Sequence, residues 1–189
     1  MKTIYFLAVL CLLTAFNAFA QQDSAAMMKA WMSYMTPGPE HQHMALADGE
    51  WTTEASFWEK PGDPPKKSFG SCVNKMIMGG RYCQSKYNGD MMGMPFEGLG
   101  IMAYDNARKT YVSTWIDNMG TGIMNMEGKW NDDLKALELT GEMDDPITGK
   151  HVKLRQVEKW QDNDHHTMEM YRMSDGQEVK EMEIVFTRK

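Results

Sequence analysis

The sequence predicts an all-β protein, an up-and-down antiparallel β-barrel of about ten strands with an N-terminal helix. Three observations carry that expectation. From Gly79 to Gly122, glycines punctuate short runs of aromatic, β-branched and methionine residues, the pattern of strands that bend around a closed interior. From Glu50 onward, strand-forming runs alternate with Gly, Asn and Asp turn signals at even spacing, which suits an up-and-down barrel better than a sandwich. The 189 residues contain no linker and no internal repeat, so one domain around one core is expected.

Residues 1–20 read as a cleaved signal peptide. Lys2 supplies the positive end, Ile4 to Leu13 the apolar run, and Ala18-Phe19-Ala20 the small-x-small site. The apolar run is too short to span a bilayer, and Leu10 stands before Cys11 where a lipoprotein anchor needs a small residue. The expectation is an exported protein, periplasmic or secreted, of 169 residues with net charge −7 once the leader and its Lys2 are gone. Residues 21–48 are expected to hold a helix and a connecting loop, and residues 49–189 the barrel. Asp23 or Ser24 can cap a helix running to about Met35, with Pro37 stopping it. Met27, Met28, Trp31, Met32 and Met35 share one helix face, which is expected to cover the open end of the barrel.

The first strand opens at Gly49-Glu50-Trp51, and Trp51, Thr53, Ala55 and Phe57 alternate before the loop Pro61-Gly62-Asp63-Pro64-Pro65. Further strands are expected near 69–77, 81–87, 96–104, 110–116, 123–130, 134–143, 151–160, 166–173 and 179–187. Asn88-Gly89, Asp105-Asn106 and Asp175-Gly176 are among the turns that separate them. Cys72 and Cys83 flank a hairpin turn at Met78-Gly79-Gly80. One register pairs Cys83 with Met76 and Cys72 with Tyr87, leaving the sulfurs too far apart to join. A wider loop sets the two cysteines opposite each other. Both registers place them on the same face.

Gly49-x-Trp51 at the start of the barrel and Arg188 at its end have a joint physical meaning. Closure makes the first and last strands neighbours, and a guanidinium stacks on an indole face. In this the chain resembles the calycin superfamily of lipocalins and fatty-acid-binding proteins, where a GxW tryptophan packs beneath a terminal arginine. The resemblance implies structural roles for Gly49, Trp51 and Arg188. Residues 37–189 also resemble a bacterial family, domain of unknown function 1579. The matching segments include Pro39-Glu40-His41, Gly79-Gly80-Arg81, Phe96-Glu97-Gly98-Leu99-Gly100 and Ala103-Tyr104-Asp105-Asn106. They continue with Trp115-Ile116-Asp117, Gly120-Thr121-Gly122 and Asp145-Pro146-x-Thr148-Gly149-Lys150. That resemblance implies a lipocalin-like barrel and no particular activity.

Twenty basic residues against 26 acidic ones, with no basic run, give no surface for phosphates, so a nucleic-acid partner is not expected. No transmembrane segment and no cofactor are expected either. GxSxG, HExxH and phosphate-loop motifs are absent. The favoured reading is a cavity that binds a small apolar or amphipathic ligand, because a barrel of this size holds one small molecule. Its candidate residues are His41, Arg81, Tyr104, Trp115, Asp117, Thr121 and Arg155. Aromatic rings would form wall, and Arg81 or Arg155 would pair with a carboxylate. A structural ion pair between Asp117 and an arginine is the other use of these charges.

Two alternatives remain open on the sequence. Twenty methionines invite a soft metal, copper or silver, with His41, His43 and Met44 or the same-face pair Met168 and Met170 as ligands. Methionine is equally a flexible core filler. The other alternative is an enzyme with its site at the barrel mouth, where His41 would act as general base beside Asp117 or Tyr104.

Overall fold

The computed structural model describes residues 24–91, 93–146, 148–174 and 176–189. The segment read as a signal peptide lies outside the described residues, as do Asp23, Met92 and Asp175. The described residues divide into two units, 24–36 and 37–189. In the first, residues 24–35 form helix α1. Thr36 closes its last turn: its backbone N–H and its Oγ1 both donate to the Met32 carbonyl, at 3.1 and 2.6 Å. Pro37 follows and offers no N–H to extend the ladder. No helix among the described residues is long and apolar enough to cross a membrane.

The second unit is a closed antiparallel barrel in which each strand pairs with its chain neighbour and the last returns to the first. Its strands are β1 (Gly49–Phe57), β2 (Lys66–Ile77), β3 (Tyr82–Met91), β4 (Met94–Asp105) and β5 (Thr110–Asp117). They continue as β6 (Met124–Asn131), β7 (Ala136–Asp144), β8 (His151–Trp160), β9 (His165–Ser174) and β10 (Gln177–Arg188). Closure runs from Trp51 opposite Arg188 to Phe57 opposite Met182. Full closure leaves no strand edge unpaired, which is how a sheet of this size avoids edge-to-edge association.

Asn88-Gly89, expected as a turn, lies inside β3, which continues to Met91. The glycine serves close approach instead. Gly89 sits opposite Gly70 of β2, and a β-carbon on it would come within 3.0 Å of the Phe69 carbonyl. The actual turn is closed by Asp90, whose Oδ1 accepts from the Gly93 N–H at 2.8 Å. Between β2 and β3 the pairing sets Cys72 opposite Tyr87 and Cys83 opposite Met76, and both cysteines are buried free thiols.

The segment expected as a connecting loop is helical. Pro39–Met44 forms the short helix α2, and Ala45–Ala47 a single 3₁₀ turn. Together they pack against β2, β3 and β4 at one end of the barrel. Met44 is buried there in a cluster with Tyr111, Met126 and Leu139. At the same end Arg188 ties the closure. Its guanidinium lies 4.1 Å over the Trp51 ring and donates to the carbonyls of Asp48, Leu46 and Asn163 at 2.7 to 2.9 Å. Trp51 Nε1 donates to the Ala47 carbonyl at 2.8 Å. A β-carbon on Gly49 would sit 2.7 Å from Arg188 Nη1, so the glycine of the Gly-x-Trp motif makes room for the guanidinium.

Candidate functional site

Strand alternation sends every second side chain inward. Towards the end away from α2, those side chains leave a cavity of about 280 Å³. Its wall runs from Thr53 and Ala55 on β1, past Ser85 and Tyr87 on β3, to Glu158 on β8 and Met168 on β9. It reaches the barrel end at Phe57, Met91 and Met119. Most of the lining is methionine, aromatic or aliphatic. The charged residues on it are Asp90, Asp117 and Glu158, and among the described residues no Lys, Arg or His lines it.

One wall is built by a glycine seat. The Trp115 indole on β5 lies across Gly98 and Gly100 of β4, where a β-carbon would come within 2.3 and 3.3 Å of its ring atoms. The edge of Tyr87 meets it at 5.1 Å and Phe96 stacks at 6.4 Å. Its Nε1 donates to Asp117 Oδ2 at 2.7 Å, and Asp117 Oδ1 accepts from the Met119 N–H at 2.9 Å. Asp117 therefore fixes the indole and the loop after β5 together.

Deeper in the cavity stands Glu158. Its strand neighbours are Leu137 on β7 and Met168 on β9. It makes no hydrogen bond or ion pair among the described residues, and burial pushes its carboxyl up to about 7. It lines the cavity. Tyr87, Cys72 and Cys83 lie close enough to feel its charge. Burial first, with Glu158 adding to it, pushes both thiols up to about 12. Tyr87 is held well above the usual phenol range, mainly by burial. Beyond Glu158, His166 is stacked between Trp160 and Phe186 at 4.2 and 4.1 Å, with the Trp51 ring meeting it edge to face at 4.6 Å. Burial, with help from Arg188, drops His166 to about 3, and its Nδ1 has no hydrogen-bond partner.

Of the residues singled out from sequence, Trp115 and Asp117 line the cavity. Arg155 does not. It projects from the outer face, bidentate on Glu178 at 2.5 and 2.6 Å, bonded to Glu138 at 3.2 Å and lying 4.4 Å over the Tyr171 ring. Arg81 sits in the β2–β3 turn and donates to the Met78 carbonyl at 3.0 Å. Thr121 is exposed in the loop after β5. His41 is buried on α2, where its Nδ1 accepts from the Gly38 N–H at 3.0 Å and its ring meets Tyr104 edge to face at 5.8 Å. Burial holds it below the usual imidazole range.

His41 and Tyr104 are thus neighbours, but at the end of the barrel opposite Asp117. Tyr111, which packs on Tyr104, is six residues along β5 from Asp117, about 20 Å at strand rise. The metal candidates are split in the same way. Met44 plugs the α2 end, His43 packs edge-on against Trp130, and Met168 and Met170 share the cavity wall. Among the described residues no three His, Cys, Asp or Glu side chains group as metal ligands would.

Sequence reasoning missed Glu158, Gln156 and Tyr87. The signal was present on β8. Val152, Leu154 and Trp160 share one parity, and Gln156 and Glu158 fall on it, while Arg155 takes the other.

A closed ten-strand up-and-down barrel with a hollow reaching one end is a lipocalin-like barrel fold. The chain belongs to the family described as protein of unknown function (DUF1579), whose family model matches residues 36–188. Among solved structures, the crystal structure of Rv2717c from M. tuberculosis is similar, with a TM-score of 0.56 and 14% identity over 82% of this chain and 99% of that chain. At that identity the likeness is one of fold. None of the curated proteins matches.

Proposed function

We propose that the barrel binds one small apolar or amphipathic molecule in its interior and does so outside the cytoplasm, as a cleaved, exported protein. The cavity carries this reading. Protein interiors are packed to crystal-like density, and an unfilled hollow costs stability. About 280 Å³ left open inside an otherwise closed barrel is near the lower end of ligand-pocket size. Apolar walls with a few convergent polar groups, here Tyr87, Asp117 and Glu158, are the usual make-up of such pockets. Support for export is the charged, apolar and small-x-small pattern of residues 1–20.

Titration with N-phenyl-1-naphthylamine, a neutral fluorophore that brightens in apolar sites, tests the reading. Saturable one-to-one binding is expected, with quenching of tryptophan emission because Trp115 forms the wall. Ser113→Trp, which would fill the hollow from β5, should abolish it. Failure of the unmodified protein to bind in a saturable way overturns the proposal.

A further inference from the structure

The three charged side chains on the cavity wall are all carboxylates. A cavity meant for an anion would carry at least one cation or a set of free N–H donors, and this one carries neither Lys, Arg nor His among its described lining. The two acids near the mouth differ in use. Asp117 already accepts from Trp115 Nε1 and the Met119 N–H, and Asp90 caps the turn to Gly93. Glu158 is unlike them: it is deep, lines the cavity and has no hydrogen-bond or ion-pair partner among the described residues. A buried carboxyl without a partner is costly, and a cation that fills the space in front of it removes that cost. The walls suit the rest of such a molecule. Tyr87, Phe96 and Trp115 present aromatic surface, which accepts both an apolar body and the flank of an ammonium group, and Met168 and Met170 adapt to shape.

Resting on the cavity reading above, we infer that the ligand is a cationic amphipath, an alkyl- or arylammonium compound whose charged nitrogen pairs with the Glu158 carboxylate while its apolar body lies against Trp115 and the methionines. The acids at the mouth favour entry of a cation and oppose an anion.

The pairing makes binding depend on pH. The groups facing Glu158 are Leu137 from β7, Met168 from β9, Cys72 from β2, and Cys83 and Tyr87 from β3. His166, two residues from Met168, completes the set. The thiols, the phenol and His166 all stay neutral between pH 5 and 9, given the directions in which burial moves them. Glu158 alone changes charge in that window, so an ammonium ligand displaces its proton when it binds below neutral pH.

Calorimetry with octylamine, octanol and octanoic acid, matched in chain length, tests the inference. An alkylammonium group keeps its charge to roughly pH 10, as lysine does. At about pH 8, octylamine should bind at least ~10-fold tighter than octanol, the scale of one charge-assisted contact, and octanoate weakest of the three. Octylamine binding should release about one proton at pH 6 and almost none at pH 8.5. In Glu158→Gln the ratio of amine to alcohol affinity should fall to within about threefold of unity. Equal binding of amine and alcohol, a preference for octanoate, or an amine preference that survives in Glu158→Gln overturns the inference while leaving the cavity reading standing. Binding of none of the three overturns both. The comparison in the unmodified protein decides the matter even if the variant does not fold.

Discussion

The Trp115 indole rests on Gly98, so closely that a β-carbon there would lie 2.3 Å from ring carbon Cζ2 and 2.4 Å from Cη2. The Phe96-Glu97-Gly98-Leu99-Gly100 segment is therefore a platform for one tryptophan, which in turn forms a wall of the cavity and hydrogen-bonds Asp117. Sequence and cavity shape are linked at this contact.

Gly98→Ala measures that link. Alanine in a strand gains about 0.4–1 kcal/mol by restricting the unfolded chain. Overpacking against a ring held by a hydrogen bond costs about 1–3 kcal/mol, so the clash should win. The variant is expected to unfold at lower urea concentration with an unchanged slope, and its near-ultraviolet dichroism should show a reoriented tryptophan. A variant as stable as the parent, with the same spectrum, would mean that Trp115 does not need the platform.

Barrel closure should depend on Arg188 through its shape more than its charge. Its fork reaches three carbonyls, of Leu46, Asp48 and Asn163, while its flat face covers Trp51. A lysine ammonium cannot span that set. Arg188→Ala is expected to lose about 2–4 kcal/mol, since hydrogen bonds from a charged donor contribute roughly 1.5–3 kcal/mol each but do not add fully. Arg188→Lys should recover less than half of the loss. Urea midpoints for the three proteins provide the check, and full recovery by lysine would contradict the role assigned to the fork.

These two contacts also show what sequence makes legible. The strands follow from alternation and turn residues, and Trp51 with Arg188 follows from the requirement that a closed barrel join its ends. Residue parity was harder. Arg155 looked like an anion partner because its chemistry suited one, yet it shares its parity with Lys153 and Lys159, while Val152, Leu154 and Trp160 take the inward one; Val157, buried on Arg155's parity, blurs the pattern. Gly89 was legible as a glycine that mattered and misleading as a turn, because Asn-Gly signals a hairpin wherever it falls. Its work is instead close approach to Gly70, a tertiary fact. Helix α2 escaped notice because six residues beginning at a proline carry too little periodicity, and its position depends on Met44 finding the barrel core.

Cys72 and Cys83 are expected to behave as inert thiols even under oxidising conditions. Cys72 pairs with Tyr87, four residues beyond Cys83 on β3, so the two are separated by about 13 Å along the strand. Burial also keeps both in the neutral form that attacks disulfides poorly. Air-oxidised protein should show the full mass of two free thiols, and an aromatic disulfide reagent should label them only in denaturant. Rapid labelling of the folded protein, or a mass lower by two hydrogens, would refute this.

Two buried groups give the folded state opposing pH dependences. His166 is held near 3 against an ordinary 6.5, so between those values the unfolded chain binds a proton that the folded one does not. Its effect is stability that rises with pH, by about 1.4 kcal/mol per unit where the difference is a full proton, and that is lost as pH falls from 6.5 towards 3. Glu158 is held near 7 against an ordinary 4.5, so the folded chain keeps the proton longer and its contribution falls as pH rises through that range. Between about 4.5 and 6.5 the two slopes cancel, while below 4.5 His166 acts alone. Glu158→Gln should therefore uncover a rise in stability from pH 4.5 to 6.5 that the parent lacks. His166→Phe, close in shape to the stacked imidazole and free of its unpartnered Nδ1, should uncover the opposite slope. Urea denaturation at pH 4.5, 5.5 and 6.5 reads both differences against the parent, so titrations common to the three proteins drop out. Parallel curves for all three would mean that neither group is buried in the state assigned to it.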